Sequence, residues 1–467
     1  MTQTLSSEFD DLRTALSGRV IAPGDPDYDQ ARAVWNAEID RRPSVIARRT
    51  STTDVAAALG WAARHSQPVS VRGGAHNVAG TSVADDALMI DLSLMREVVV
   101  DPEARRARVG GGALLADLDA AAQAHGLAVP VGVIGHTGVA GITLGGGMGW
   151  LTRKHGLTTD NLVSAEVVLA DGRIVHASAD EHPDLFWALR GGGGNFGVVT
   201  GFEFTLHPVH PMVEFALLFW PLEQGTEVLR LARDVLADLP DELNIIVGAL
   251  NAPPEPFVPE EHHFAPGYAL LVTGFGADVG TEHARLVARL RDALPPLFDM
   301  AAPMPYVALQ QMLDEANAWG SHAYVKNTYI TGLSDPVIGV MTEHVPRKTS
   351  PTSLVLIYPL DGAYSSVGED ETAFGGGRSP RSIVFIVGYT PDPEVLPAER
   401  AWVREFHSAM APLGIGRETY VNELPEPDDD KQLRDAYGRE KYERLARVKA
   451  DYDPGNVFNS NTNIKPA

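Results

Sequence analysis

Three observations predict an α+β fold with two large units for this 467-residue chain. Up to about residue 210, short strand-like runs alternate with helical ones. From residue 211, longer apolar runs alternate with amphipathic segments, the texture of an antiparallel sheet covered by helices on one side. The first unit is also interrupted by glycine-rich stretches that are too apolar to be linkers.

The elements follow in order. Residues 1–39 read as an N-terminal segment of short helices around the break Pro23-Gly24-Asp25-Pro26. A first unit spans 40–210. Ser44–Arg48 reads as a strand, and a helix running to His65 is capped by Thr53 or Asp54. Pro68–Arg72, Leu88–Leu92, Glu97–Val100 and Ala104–Val109 read as further strands, followed by a helix over Leu114–His125. Val163–Ala170 and Arg173–Ala177 form a hairpin across Asp171-Gly172, and Val198–Leu206 returns as a strand. A second unit spans 211–415, with strands at Glu214–Trp220, Asn244–Leu250, Ala269–Phe275, Ser353–Tyr358 and Ser382–Tyr389. Its helices lie at Thr226–Leu239, Gly280–Ala293 and Pro397–Met410. Residues 416–467 form a polar terminal strap with one amphipathic helix at Asp435–Lys449.

Composition narrows the function. Lys and Arg number 38 against 61 Asp and Glu, a net charge of −23 that argues against a nucleic-acid partner and an anionic membrane surface. There is no cysteine, so disulfides, thiolate nucleophiles and cysteine-bound metals are excluded. Asp85-Asp86, Glu369-Asp370-Glu371 and Asp428-Asp429-Asp430 lack histidines at ligand spacing and read as solvated loops, so no metal is assigned. The N-terminus shows no basic region followed by an apolar run, and a cytoplasmic location is expected. No strand–GxGxxG–helix unit with a following acid is present, which argues against a nicotinamide enzyme.

The stretch Val71-Arg72-Gly73-Gly74-Ala75-His76-Asn77 stands out. Its glycines let backbone approach a ligand and turn several amides toward an anion, with a histidine beside them. A second stretch, Val131–Trp150, interleaves glycine with Val, Ile, Leu, Met and Trp, as buried backbone against a flat or charged ligand requires.

These pieces, with Gly156–Asn161, Asp184–Gly197, Tyr420-Val421-Asn422 and Tyr452–Phe458, resemble in order and spacing the berberine bridge enzyme-like branch of FAD-linked oxidases, in the vanillyl-alcohol oxidase (PCMH-type) superfamily. The resemblance covers nearly the whole chain and is strongest to bacterial secondary-metabolism oxidases of the enterocin-pathway type. It implies a two-subdomain FAD-binding domain, a substrate domain with a large antiparallel sheet, and a C-terminal strap returning to the FAD domain. It implies that His76 attaches covalently to the 8α carbon of the flavin. Ile134 stands where many relatives carry a second, cysteine tether, so a mono-covalent FAD is expected.

For such a cofactor, the amides of Gly73, Gly74, Ala75, His76 and Asn77 can cradle the pyrophosphate without side-chain charge, with Arg72 assisting, and glycines such as Gly138, Gly141, Gly145 and Gly147 let backbone approach the isoalloxazine ring. The resemblance further implies that Asp160, Asn161 and Gly197 belong to FAD-contacting segments, and that Val199 lies near the adenine. Thr137 falls where a small residue admits dioxygen, and His136 is a hydrogen-bonded neighbour of the cofactor. Tyr420 assists substrate deprotonation, with Asn422 touching the ring. A tyrosine pKa of about 10 makes this demanding, and Lys326 is the cation expected to stabilise a phenolate. Tyr324, Tyr329, Tyr358 or the substrate's own ionisation are the other sources of a base, because the strand Ser353–Tyr358 carries no carboxylate. The implied activity is removal of a hydride from an alcohol or amine carbon of an organic small molecule, with dioxygen reoxidising the flavin to give hydrogen peroxide. Oxidative cyclisation of a natural product, a dehydrogenase with another acceptor, and a non-catalytic flavin binder are the alternatives.

Overall fold

The computed structural model describes residues 9–276, 278–416, 419–424 and 430–467. Two main sheets build the first unit, beside a two-stranded pair of Leu127–Ala128 with His207–Pro208. In one, Arg19–Ile21, Val45–Arg48, Leu88–Asp91 and Val69–Arg72 lie side by side in that order. Leu88–Asp91 runs parallel to both of its neighbours, and Arg19–Ile21 pairs antiparallel at the edge. Parallel strands are buried on both faces, and Leu88, Met89, Ile90 and Asp91 are all nearly inaccessible. The other sheet is antiparallel, in the order Val98–Asp101, Arg106–Gly110, Val198–Thr205, Leu162–Val168, Ile174–Ser178.

The second unit is a seven-stranded antiparallel sheet. Its order is Phe298–Pro305, Met212–Pro221, Pro266–Gly274, Leu243–Asn251, Leu354–Leu360, Arg381–Thr390, His322–Ile330. Strand alternation divides its side chains between two cores. Ala216, Leu218, Trp220, Val355, Ile357, Val384 and Ile386 pack under helices Gly225–Leu236, Gly280–Ala293, Asp335–His344 and Leu396–Met410. Phe215, Leu217, Phe219, Tyr358 and Ile383 face the other way, toward the first unit. The α+β class with a large helix-covered antiparallel sheet is thus as the sequence predicts.

Several local expectations change. The helix Thr52–His65 is capped by Ser51, whose hydroxyl accepts the Asp54 amide at 3.2 Å. Asp54 itself takes the amide and hydroxyl of Ser17, so neither Thr53 nor Asp54 is the cap. The strand Phe298–Pro305 is not evident in the sequence because its two prolines confine it to the sheet edge. The glycine-rich stretch contains a short helix, Val139–Gly145. In the strap, Gly438 with φ of 72° separates Asp430–Tyr437 from Arg439–Tyr452.

The strap returns to the first unit, where Tyr442, Leu445 and Val448 join the core of Leu162, Phe186 and Phe196. A buried ion pair locks its end. Lys449 Nζ lies 2.6 Å from Asp453 and also donates to the carbonyls of Asn195 and Phe458. Asp453 in turn accepts the amides of Val457 and Phe458. The Tyr452–Phe458 motif and the Asn195 loop are therefore joined for structural reasons. Among the described residues no helix is long and apolar enough to cross a membrane, and no group of three or more His, Asp or Glu has the arrangement of a metal site. Glu369 bonds Lys441 and the Arg378 amide, and Asp85 accepts the Arg42 amide. Asp428 and Asp429 lie outside the described residues.

Candidate active site

A cavity of about 410 Å³ lies between the first unit and the inward face of the large sheet. That volume is in the range of small-ligand and cofactor sites. One wall is mostly backbone: Gly73–Val78, Thr137–Ile142 apart from Val139, and Gly193, Gly194 and Gly197–Val199. The other is side chains from the sheet and the strap, including Tyr358, Phe385, Tyr389, Tyr420, Asn422 and Glu423.

The backbone wall depends on one close crossing. A Cβ added at Gly74 would lie 2.3 Å from the Gly138 nitrogen, and one at Gly138 2.4 Å from the Gly74 nitrogen. Only glycines let the two loops pass. The next residue, Ala75, adopts φ of 53°, which turns the chain sharply. No acceptor among the described residues takes the amides of Gly74, Ala75, His76 or Asn77. A run of free amides in a turn at a cavity wall is an anion-binding concavity, so the residues present fit the pyrophosphate of FAD.

His76 lies beyond this turn. Its ring stacks on Trp35 at 4.5 Å, and its Nε2 lies 3.1 Å from His136 Nδ1. Burial, reinforced by His136, pushes its pKa down to about 3, so the imidazole is neutral at ordinary pH. The ring is part-exposed to the cavity, but the surrounding protein still withholds it from bulk water. Trp35 carries no sequence signal, yet it is the aromatic floor of this histidine. Its Nε1 is fixed by the Asn317 carbonyl at 2.7 Å.

Tyr420 and Asn422 meet the same cavity. The Tyr420 hydroxyl accepts the Gly147 amide at 2.9 Å and the Asn422 side-chain amide at 2.8 Å. Asn422 Nδ2 also reaches the Ile142 carbonyl, which fixes that amide's orientation. Both acceptor positions of the phenol are thus filled, and its own hydrogen is left for a third partner. Burial raises the Tyr420 pKa above the usual tyrosine value, opposed in part by the Gly147 and Asn422 donors. Asn327 holds the Tyr420 backbone, its Oδ1 accepting the Tyr420 amide at 2.8 Å. Asn77 donates to the Asn422 carbonyl at 3.1 Å, which ties the two walls together.

Several residues read from the sequence stand elsewhere. Lys326 is a correction: it alternates with Val325, which lines the cavity, and sits on the helix-covered face beside His407. The donors to the Tyr420 hydroxyl are the Gly147 and Asn422 groups. Tyr324 also faces the helices, where Arg404 donates to its hydroxyl, and Tyr329 lies outside the cavity lining. Of these three candidate bases, Tyr358 reaches the cavity.

Arg72 is a second correction. Its guanidinium donates to the Ala31 and Ala33 carbonyls, each at 2.7 Å, and is absent from the cavity lining. Asp160 is held by two hydrogen bonds from Arg378 and caps the Leu157 amide. Asn161 bonds the carbonyls of His155 and Leu157 and accepts from His207. Neither lines the cavity; their turn buttresses the glycine loop from behind, where Thr158 and Thr159 donate to the Gly147 and Gly146 carbonyls. Gly145 and Gly147 also lie behind the lining. A Cβ on Gly145 would fall 1.9 Å from Asn422, and one on Gly147 2.1 Å from Thr158. Gly138, Gly141, Thr137, Gly197 and Val199 do line the cavity, as does Ile134.

Glu423 was not singled out in the sequence. It lines the cavity, and burial raises its pKa to about 7. A carboxylate directly after a Tyr-Xaa-Asn motif was the only available signal.

Comparison with known proteins agrees with this geometry. Residues 43–178 match the FAD binding domain model, and residues 419–465 match the berberine and berberine-like model. The chain is 32% identical to (R)-6-hydroxynicotine oxidase of Paenarthrobacter nicotinovorans, over 97% of this chain and 98% of that protein. It is 30% identical to an uncharacterized FAD-linked oxidoreductase of Bacillus subtilis, over 97% and 98% of the two chains. The crystal structure of 6-hydroxy-D-nicotine oxidase from Arthrobacter nicotinovorans superposes with a TM-score of 0.86 at 28% identity, covering 100% of both chains. A Physcomitrella patens berberine bridge enzyme-like protein shares the fold, with a TM-score of 0.86 at 23% identity over 99% of each chain. The glycine crossing, the free amides and the returning strap are thus those of an FAD-linked oxidoreductase, and the chain belongs to the berberine bridge enzyme-like family of these enzymes.

Proposed function

We propose that this chain is an FAD-dependent oxidase removing a hydride from an alcohol or amine carbon of an organic small molecule, with dioxygen as the final acceptor and hydrogen peroxide as the second product. The observation that carries this reading is the Tyr420 hydroxyl. It accepts from Gly147 and Asn422 and so keeps its own hydrogen for a partner in the cavity. FAD supplies a two-electron acceptor; the protein must hold it, orient the donor carbon and manage one proton.

The residues divide those tasks. The amides of Gly74–Asn77 would hold the pyrophosphate, Gly138 and Gly141 would let backbone approach the ring, and Gly197–Val199 would meet the adenosine end. Tyr420 bonds the substrate heteroatom, and its raised pKa keeps it a donor at ordinary pH. Apolar lining such as Phe385, Val387 and Leu354 excludes water from the reacting carbon. Thr137, small and at the cavity wall, leaves room for dioxygen.

His76 is proposed as a covalent tether through the flavin 8α carbon, and the absence of cysteine leaves Ile134 unable to form a second one. What supports the tether is the ring's position in the cavity and its neutrality, which leaves a nitrogen lone pair for bond formation. The test is acid precipitation. The wild-type pellet should be yellow and the His76→Ala pellet colourless, with free flavin in the supernatant. A yellow His76→Ala pellet would refute the assignment.

A further inference from the structure

We propose that the cavity takes an apolar organic amine in its ammonium form, with the charged nitrogen seated on Glu423. This rests on the oxidase reading above and names its substrate class and the residue that recognises it.

Glu423 is isolated among the described residues. Among the described residues lining the cavity, Glu423 is the only Asp, Glu, Lys or Arg. Its carboxyl has no hydrogen-bond or ion-pair partner among the described residues. It lies near enough to Tyr358 and Tyr420 for its charge to raise both of their pKa values, so it stands beside the proposed substrate-binding hydroxyl and the sheet wall. Among the described residues these two tyrosines are the titratable groups coupled to it, and burial keeps both neutral. Proteins bury a carboxylate at high cost unless a cation or several donors compensate. The described residues supply neither here, and an ammonium ion brings both. An alcohol brings one donor and no charge. The surrounding wall of Leu356, Phe385 and Val387 accepts the apolar remainder, and a chain of net charge −23 draws cations toward it.

The seat also has a chemical use. An ammonium carbon cannot give up a hydride readily, because the nitrogen has no lone pair to support the positive charge that develops. Glu423 accepts the proton: one N–H bond breaks, one O–H bond forms on the carboxylate, and the nitrogen recovers its pair. No electrons leave the substrate in that step. A carboxyl whose pKa lies near 7 is suited to such an exchange.

The test compares benzylammonium with benzyl alcohol, two probes of nearly one shape, on the purified holoenzyme at pH 8. Binding is read by perturbation of the flavin absorbance and, in parallel, by quenching of tryptophan fluorescence, since Trp35 and Trp150 line the cavity. The second readout measures charge preference even in protein lacking flavin, which would count against the FAD reading alone. The wild type should bind the amine at least about tenfold tighter, a difference of about 1.4 kcal/mol, and Glu423→Gln should abolish that preference while retaining its flavin. The preference in the wild type should also fade as pH falls below about 7. Equal affinity for the two probes, including no measurable binding of either, overturns the proposal. So does a preference that survives in Glu423→Gln. If that variant does not fold, the wild-type pair and its pH dependence decide alone.

Discussion

The two walls of the cavity are built in opposite ways. The first is backbone, made of loops so closely crossed that a single Cβ at Gly74 would strike Gly138. The second is side chains, delivered by alternate residues of a sheet and by a strap more than 270 positions away from the glycine loop it bonds. A cofactor common to a family calls for an anion cradle and a flat approach, which main-chain amides supply whatever the substrate. Discrimination among substrates needs groups that can change one at a time, and these stand on the sheet and strap. Asn77 and Gly147 are the bridges, bonding Asn422 and Tyr420 across the divide.

Substitutions on either wall test this contrast. The largest effect is expected at Gly74→Val, whose added carbons overlap the Gly138 backbone. That protein should purify without a yellow chromophore, as its absorbance near the flavin bands will show; normal flavin content would mean the crossing is not required. Tyr420→Phe removes the hydroxyl from the side-chain wall and should lower kcat/KM by about 100-fold, the usual lower range for a lost proton-handling group. Its flavin content should be unchanged, and loss of flavin would blur the division between the walls. Lys326→Met is expected to be the mildest. The residue lies on the helix side of its strand, so kcat/KM should stay within about twofold, as for changes away from a site. A tenfold loss would return Lys326 to the proton chemistry.

The glycine loops were legible because their requirement is local. Gly74, Gly138 and Gly197 are needed where backbone passes backbone or side chain, and such needs leave glycine at fixed spacing. The Tyr420–Asn422 pair was legible for a similar reason, being two residues of one short turn. Other motif residues stand near the site with their side chains turned away from it. Asp160 and Asn161 sit in an FAD-linked motif, yet Arg378 and His207 absorb their polar atoms behind the loop. Arg72 ends the strand that enters the cradle, but its side chain turns to the carbonyls of Ala31 and Ala33. Sequence placed these residues near the site, and orientation removed them from it.

Periodicity and glycine spacing are properties of neighbouring residues, so the α+β class and the two loops of the cofactor wall can be read from the chain alone, and the family from the ordered motifs it resembles. Which side chains reach the cavity depends instead on how the folded elements pack. In a strand that choice alternates at every residue, and it is settled by the partner each face packs against. Thus Val325 lines the cavity while Lys326 lies under helices, Trp35 arrives from an unmarked segment to stack on His76, and Glu423 is the one carboxylate among the described residues lining the cavity.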